Sequence, residues 1–269
     1  VGLRARPKEV VNVKLLVSVV DEAEARAAVA GGADIVDVKN PREGSLGANF
    51  PGVIRAVRQL LPPPHLVSAT LGDVPNLPGT VSLAALGAAV CGVDFVKLGL
   101  FGVTDTDAAH FLLARVGEAV KSWNPAIQVI AAGYADAWRV GAIAPLGVPA
   151  VARAAGLDGC MIDTIGKGQG SLFTYLNESQ LSEFVAACRA NGLLCGLAGS
   201  LAGADLPRVQ ALGADVVGVR SAACQGDRVA GRIDPERVRW LKSLVSSGSE
   251  SPASPPALVA PPVVPGVTH

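Results

Sequence analysis

Three histidines among 269 residues leave imidazole chemistry little to work with. His65 falls just before a strand pattern, His110 inside a helical one and His269 at the last position, so the sequence offers no histidine general base and no His cluster for a metal. Cysteine is sparse as well: Cys91, Cys160, Cys188, Cys195 and Cys224 form no CxxC pair and are odd in number. They read as reduced, largely buried thiols of a cytoplasmic protein. An excess of charge is missing too, with 23 Lys plus Arg against 23 Asp plus Glu and no long block of one sign. That argues against a nucleic-acid or anionic membrane surface and for a small-molecule substrate. The first apolar run is cut short by Asp21 and Glu22, with neither the length of a membrane span nor the flanks of a signal peptide. No motif calls for a cofactor.

What is present is alternation. Short β-branched or apolar runs recur at 13–20, 35–40, 65–71, 94–100, 128–134, 159–164, 193–200 and 215–221. Between them lie stretches with three-and-four apolar spacing, such as 21–32 and 179–192, capped in front and closed by Gly. Eight strand–helix units predict a parallel α/β sheet closed as a single (β/α)8 TIM barrel over residues 13–245. Residues 1–12 then form an N-terminal extension. Residues 246–269, rich in Ser and Pro and without periodicity, read as a disordered C-terminal tail. The Ala-rich outer helices leave a homo-oligomer open.

A weak repeat fixes the register. The tripeptide G-x-D ends at Asp34, Asp94, Asp158 and Asp215, at spacings of 60, 64 and 57 residues, two strand–helix units each. Its Gly suits a left-handed helix cap and its Asp opens an even-numbered strand at the barrel floor, a structural role. Three residues above the Asp lie Asp37, Lys97, Met161 and Gly218; five above lie Lys39, Gly99, Asp163 and Arg220. Alternation puts both sets on one face of each strand. Ionisable groups walled in by apolar residues are costly as structure alone, so their convergence toward the C-terminal mouth marks a catalytic site.

A lysine in such a core, beside a second ammonium, loses its proton more readily and becomes a nucleophile toward a carbonyl. Lys39 with Lys97 nearby fits an imine-forming, aldolase-like site, with Asp37 holding a charged partner or moving protons. Lys167, just past strand 6, is a third amine at the mouth. The loops after strands 7 and 8 carry small residues that let backbone N–H groups approach a phosphate, which makes Gly199, Ser200, Arg220 and Ser221 anion-binding candidates. Ser68 and Asp73 are further substrate-binding candidates, and Arg42, Asn49 and Thr80 either touch ligand or shape their loops.

The segments DIVDVKNPREGSLGANFP, LVSATLGDVPNLPGTVSLAALGAA, DFVKLGLFGV, AAGYADAWRVGA, MIDT with a following Lys, and GVRSAACQGDRVAGRID resemble the (5-formylfuran-3-yl)methyl phosphate synthases of methanofuran biosynthesis. The similarity runs from Val13 to Leu244. It implies a barrel lyase that condenses two glyceraldehyde 3-phosphate molecules, a triose phosphate, with loss of one phosphate and two waters. The family's Schiff-base lysine falls on Lys39 and its proton-accepting lysine on Lys97, with acids at Asp37 and Asp163 and a mouth lysine at Lys167. One departure is local: the family's Lys-Asp-Gly-Lys segment after strand 6 is Lys167-Gly168-Gln169-Gly170 here, without the second basic position. The residues alone leave three rivals standing: a class I aldolase, a phosphosugar isomerase, and a non-catalytic barrel that binds a phosphorylated metabolite.

Overall fold

The computed structural model describes residues 13–246. The extension expected over 1–12 and the tail expected from 247 onward lie outside the described residues. Eight parallel strands close on themselves in chain order: β1 Lys14–Val19, β2 Ile35–Val38, β3 Leu66–Thr70, β4 Phe95–Gly99, β5 Gln128–Tyr134, β6 Gly159–Asp163, β7 Leu194–Leu197 and β8 Val216–Val219. The chain is a (β/α)8 barrel, with each strand inside the run assigned to it from sequence.

Around the wall stand α1 Glu22–Ala30, α2 Pro51–Leu60, α3 Pro78–Val90, α4 Thr106–Trp123, α5 Val148–Ala154, α6 Leu172–Tyr175, α7 Glu178–Ala190, α8 Leu206–Leu212 and α9 Pro235–Ser246. The last runs one residue past the expected boundary. Their starts follow local chemistry: Asp21 accepts from Glu24 N ahead of α1, and Asn177 with Gln180 forms a reciprocal capping box on α7. The main apolar core fills the space between wall and helices, and the five cysteines are buried free thiols. Leu16, Ile35 and Val216, with Phe95 and Leu194 against them, plug the lower barrel interior. No helix among the described residues is long and apolar enough to cross a membrane.

The G-x-D repeat has its predicted structure. Gly32, Gly92, Gly156 and Gly213 take φ of 91°, 84°, 74° and 80°, the left-handed turn that lets each helix hand over to a strand. Each Asp carboxylate accepts a backbone N–H from the preceding odd strand: Leu15 to Asp34 at 2.6 Å, Val67 to Asp94 at 2.7 Å, Val129 to Asp158 at 2.8 Å and Cys195 to Asp215 at 2.8 Å. Lys242, Arg58 and Lys121 neutralise the first three. The repeat therefore pins the foot of every even strand and holds its inward face in register.

Beyond β8 the chain makes a small antiparallel hairpin, β9 Cys224–Gln225 with β10 Arg232–Ile233, whose connection carries Arg228 to the barrel mouth.

Candidate active site

The even strands bring their reactive side chains together at the C-terminal mouth. A cleft of about 450 Å³, counting its open rim, is lined by Lys39, Lys97, Asp163, Lys167, Arg220 and Arg228. Gly199, Ser200 and Ser221 form part of its rim, as expected of the loops after β7 and β8. Among the described residues Ser200 is the one non-glycine at positive φ, 49°, following Gly199 at 117°. Such a backbone is costly for a side-chain-bearing residue and persists where its surroundings hold it.

Two of the three amines are already ion-paired. Lys97 Nζ lies 2.8 Å from Asp37 Oδ2, with side-chain exposures of 4% and 0%. Ser18 Oγ donates to the same carboxylate oxygen at 3.0 Å, while Asp37 Oδ1 has no hydrogen-bond partner among the described residues. Burial pushes the Asp37 carboxyl up, but the ammoniums of Lys97 and Lys39 outweigh it and hold the group below the usual carboxylate range. Lys167 Nζ sits 2.6 Å from Asp163 Oδ1, which also accepts from Thr164 N at 2.7 Å. Against burial, Lys167 and Lys39 hold the Asp163 carboxyl below its usual value too.

Lys39 differs from both. It is buried, makes no ion pair among the described residues, and donates only to the Ser45 carbonyl at 3.2 Å. Burial is the main reason its amine is lowered to about 8; Asp163 and Asp37 oppose the shift, and Lys167 and Lys97 assist it. The expected neighbouring-charge effect is present, but it is secondary to burial and comes from Lys167 more than from Lys97. A buried amine with its proton loosely held, flanked by two carboxylates, can attack a carbonyl and shed water from the carbinolamine.

Arg220 reaches the cleft, yet its guanidinium is spent on the protein. Nε donates to Arg228 O at 2.6 Å, Nη1 to Ser18 O at 2.9 Å and to Glu24 Oε2 at 2.8 Å, and Nη2 faces Glu24 Oε1 at 3.5 Å. It holds the hairpin down on α1. The freer guanidinium is Arg228, which sequence reasoning passed over: its donors make only long contacts, 3.4 Å to Pro41 O and 3.2 Å to Gly44 O. The sequence signal was faint, one of two Arg inside GDRVAGR with no strand or helix period to place it.

The other candidates stand away from the cleft. Ser68 pairs in register with Asp37, fully buried beneath the lysines, and its hydroxyl helps hold the Asp37 carboxyl below its usual value. Asp73 is turned to the β2 loop, accepting from Leu46 N at 3.0 Å and from Tyr134 Oη at 2.5 Å. Asn49 ties Val20 O and Lys39 O, a loop-shaping role. Arg42 and Thr80 are exposed and outside the cleft wall. His65 lies at the floor end of β3 and His110 on α4, remote from the site as expected.

With this geometry in hand, comparison with known proteins is specific. Among solved structures, phosphoribosyl anthranilate isomerase from Thermus thermophilus superposes with a TM-score of 0.58 at 20% identity, over 87% of this chain and 98% of that one. KGPDC from Streptococcus mutans gives 0.58 at 16%, over 87% and 97%. Both share the fold. In sequence, the (5-formylfuran-3-yl)methyl phosphate synthase of Methanocaldococcus jannaschii is 54% identical over 231 residues, 86% of this chain and 98% of that protein. That of Methanothermobacter thermautotrophicus is 53% identical over 234 residues, 87% and 99%. The model of the 4-HFC-P synthase family matches residues 15–242, nearly all of the barrel and all the lysines and aspartates of its mouth, and the chain belongs to that family.

Proposed function

We propose that the protein is a (5-formylfuran-3-yl)methyl phosphate synthase working through a lysine Schiff base: two glyceraldehyde 3-phosphates give the furan aldehyde phosphate, one inorganic phosphate and two waters, as a step toward methanofuran or an analogue. The observation that carries this reading is Lys39, the one mouth lysine without an ion pair among the described residues, buried and with its amine lowered to about 8. One triose phosphate forms an imine with Lys39 and yields an enamine. Elimination of phosphate from that enamine leaves an enol whose terminal carbon adds to the keto carbon of the second triose phosphate, isomerised from its aldehyde so that the new bond falls on the carbon bearing the phosphooxymethyl arm. A hydroxyl closes the ring, two waters leave, and hydrolysis of the imine returns the Lys39 amine. Lys97 and Asp37, and Asp163 with Lys167, are proton-carrying pairs on either side of the amine. Arg228, with only long contacts to protein, suits a substrate phosphate better than Arg220 does.

The test is incubation with glyceraldehyde 3-phosphate, with and without borohydride, following ultraviolet absorbance, free phosphate and intact mass. A furan chromophore, one phosphate per product and a reduced adduct on Lys39 are expected. An adduct with both phosphates retained would instead identify a plain aldolase, and neither adduct nor phosphate release would remove the enzyme reading. For the anion contact, Arg228→Ala should raise KM by about tenfold or more, as loss of a charge-assisted hydrogen bond does, with kcat changed far less. Steady-state kinetics in which KM stays put would reassign Arg228 to loop closure.

A further inference from the structure

The β2 loop is built down onto Lys39 by two residues that never enter the cleft. Tyr134, the largest of the fully buried side chains, ends β5. Its hydroxyl donates to Asp73 Oδ1 at 2.5 Å, and the other oxygen of Asp73 accepts Leu46 N at 3.0 Å. Gly72 N holds the Leu46 carbonyl at 3.0 Å and Thr70 Oγ1 the Gly47 carbonyl at 2.8 Å. Ser45 Oγ donates across the mouth to Thr164 O at 2.7 Å. The Leu46 side chain is wholly buried, in one apolar cluster with Tyr134 and Met161.

Two glycines make room for this arrangement. A Cβ on Gly99 would come within 2.0 Å of Tyr134 Oη and 2.9 Å of Leu46 Cδ1. One on Gly44, at φ 138°, would sit 2.3 Å from Asp73 Oδ2. Gly99 occupies on β4 the position that holds Lys39 on β2, Asp163 on β6 and Arg220 on β8, so the gap in that layer is filled from β5 by the tyrosine. Burial, followed by the charge of Asp73, pushes the phenol well above its ordinary value and keeps it a donor.

We infer that Asp73 and Tyr134 are positioning residues for the imine-forming amine: together they clamp Ser45–Leu46 so that the Ser45 carbonyl holds Lys39 Nζ and the loop keeps water from it. The inference rests on Lys39 as the nucleophile proposed above. A fixed acceptor on one N–H leaves the amine lone pair less freedom in direction, and attack on a carbonyl is sensitive to that alignment. The same loop supplies part of the burial that loosens the Lys39 proton. Asp73, a candidate substrate contact from sequence, thereby acts through the loop.

The test uses Tyr134→Phe, which keeps the ring, and Asp73→Asn, which keeps the shape. Lys39 is titrated in the free protein from the pH dependence of its reductive methylation by formaldehyde and cyanoborohydride, read by peptide mass. The groups facing it are Asp37 on β2, Lys97 on β4, Asp163 at the end of β6 and Lys167 in the loop after it, and both variants retain all four. Each variant should move the Lys39 titration upward from about 8. Loss of the Asp73 charge alone would move it downward, so an upward shift reports water reaching the amine. Borohydride trapping and kcat should fall about tenfold, the effect of a lost hydrogen bond to a charged group, with KM within about twofold. An unchanged titration and trapping rate in both variants, with only thermal stability reduced, would overturn the inference. If the wild-type protein is not trapped by triose phosphate, the Schiff-base reading fails by itself, and the free-protein titration still decides the clamp.

Discussion

Under the imine mechanism proposed above, Lys39→Arg should abolish covalent trapping and lower turnover by about a thousandfold or more, because a guanidinium keeps its proton and cannot form an imine. The substitution keeps a positive charge on the strand, so loss of activity with an unchanged circular dichroism spectrum isolates the amine chemistry. Lys167→Arg is the matched control: its ion pair with Asp163 is reproducible by a guanidinium, and trapping at Lys39 should persist. The wild-type trapping rate carries a second signature. With the amine at about 8, its free fraction and the rate should fall about tenfold per pH unit below that value and level off above it. A Lys39→Arg protein that still turns over, or a trapping rate flat from pH 6 to about 9, contradicts the covalent mechanism.

The second large effect is on the frame around the site. Glu24 and Arg220 are both buried, with side-chain exposures of 2% and 3%, and pair at 2.8 Å. Glu24→Ala removes one partner and strands the other charge, which costs about 3–5 kcal/mol. For a domain of this size that is a fall in Tm of about 6–20 °C. Arg220 also carries the hairpin through the Arg228 carbonyl, so KM should rise along with the loss of stability. Arg232→Ala is the contrast: its guanidinium pairs with Asp21 but is 65% exposed, and its removal should cost no more than about 1 kcal/mol. Thermal melts of the two variants that coincide would show that the buried pair does not hold this corner of the barrel.

The barrel and its central residues were legible because their signals are local. A left-handed Gly followed two residues later by a strand-opening Asp needs only the chain on either side, and counting up from it put Asp37, Lys39, Lys97 and Asp163 on the inward face. What escaped depends on contacts across the whole chain. Arg220 looked like a free anion contact, yet its partners Ser18 and Glu24 lie 202 and 196 residues away. Nothing local to Asp73 announces that Tyr134, 61 residues on, meets it in the fold. Arg228 sits in a connection between two-residue strands, too short for any periodicity to announce. The register suggested a lysine pair, but which lysine is left without an ion pair among the described residues is settled by the pairing of Lys97 with Asp37 and of Lys167 with Asp163.

The aspartates at the barrel floor have a consequence for fidelity. Side chains alternate along a strand, so a slip of one residue in β2 would turn Lys39 and Asp37 out toward the helices. The same slip would take Asp34 off Leu15 N and Lys242, and β4 and β6 are tied in the same way through Asp94 and Asp158. Misthreading that ruins the chemistry therefore also unfastens the foot of the strand. The repeat proofreads the assembly of the site from the opposite end of the barrel.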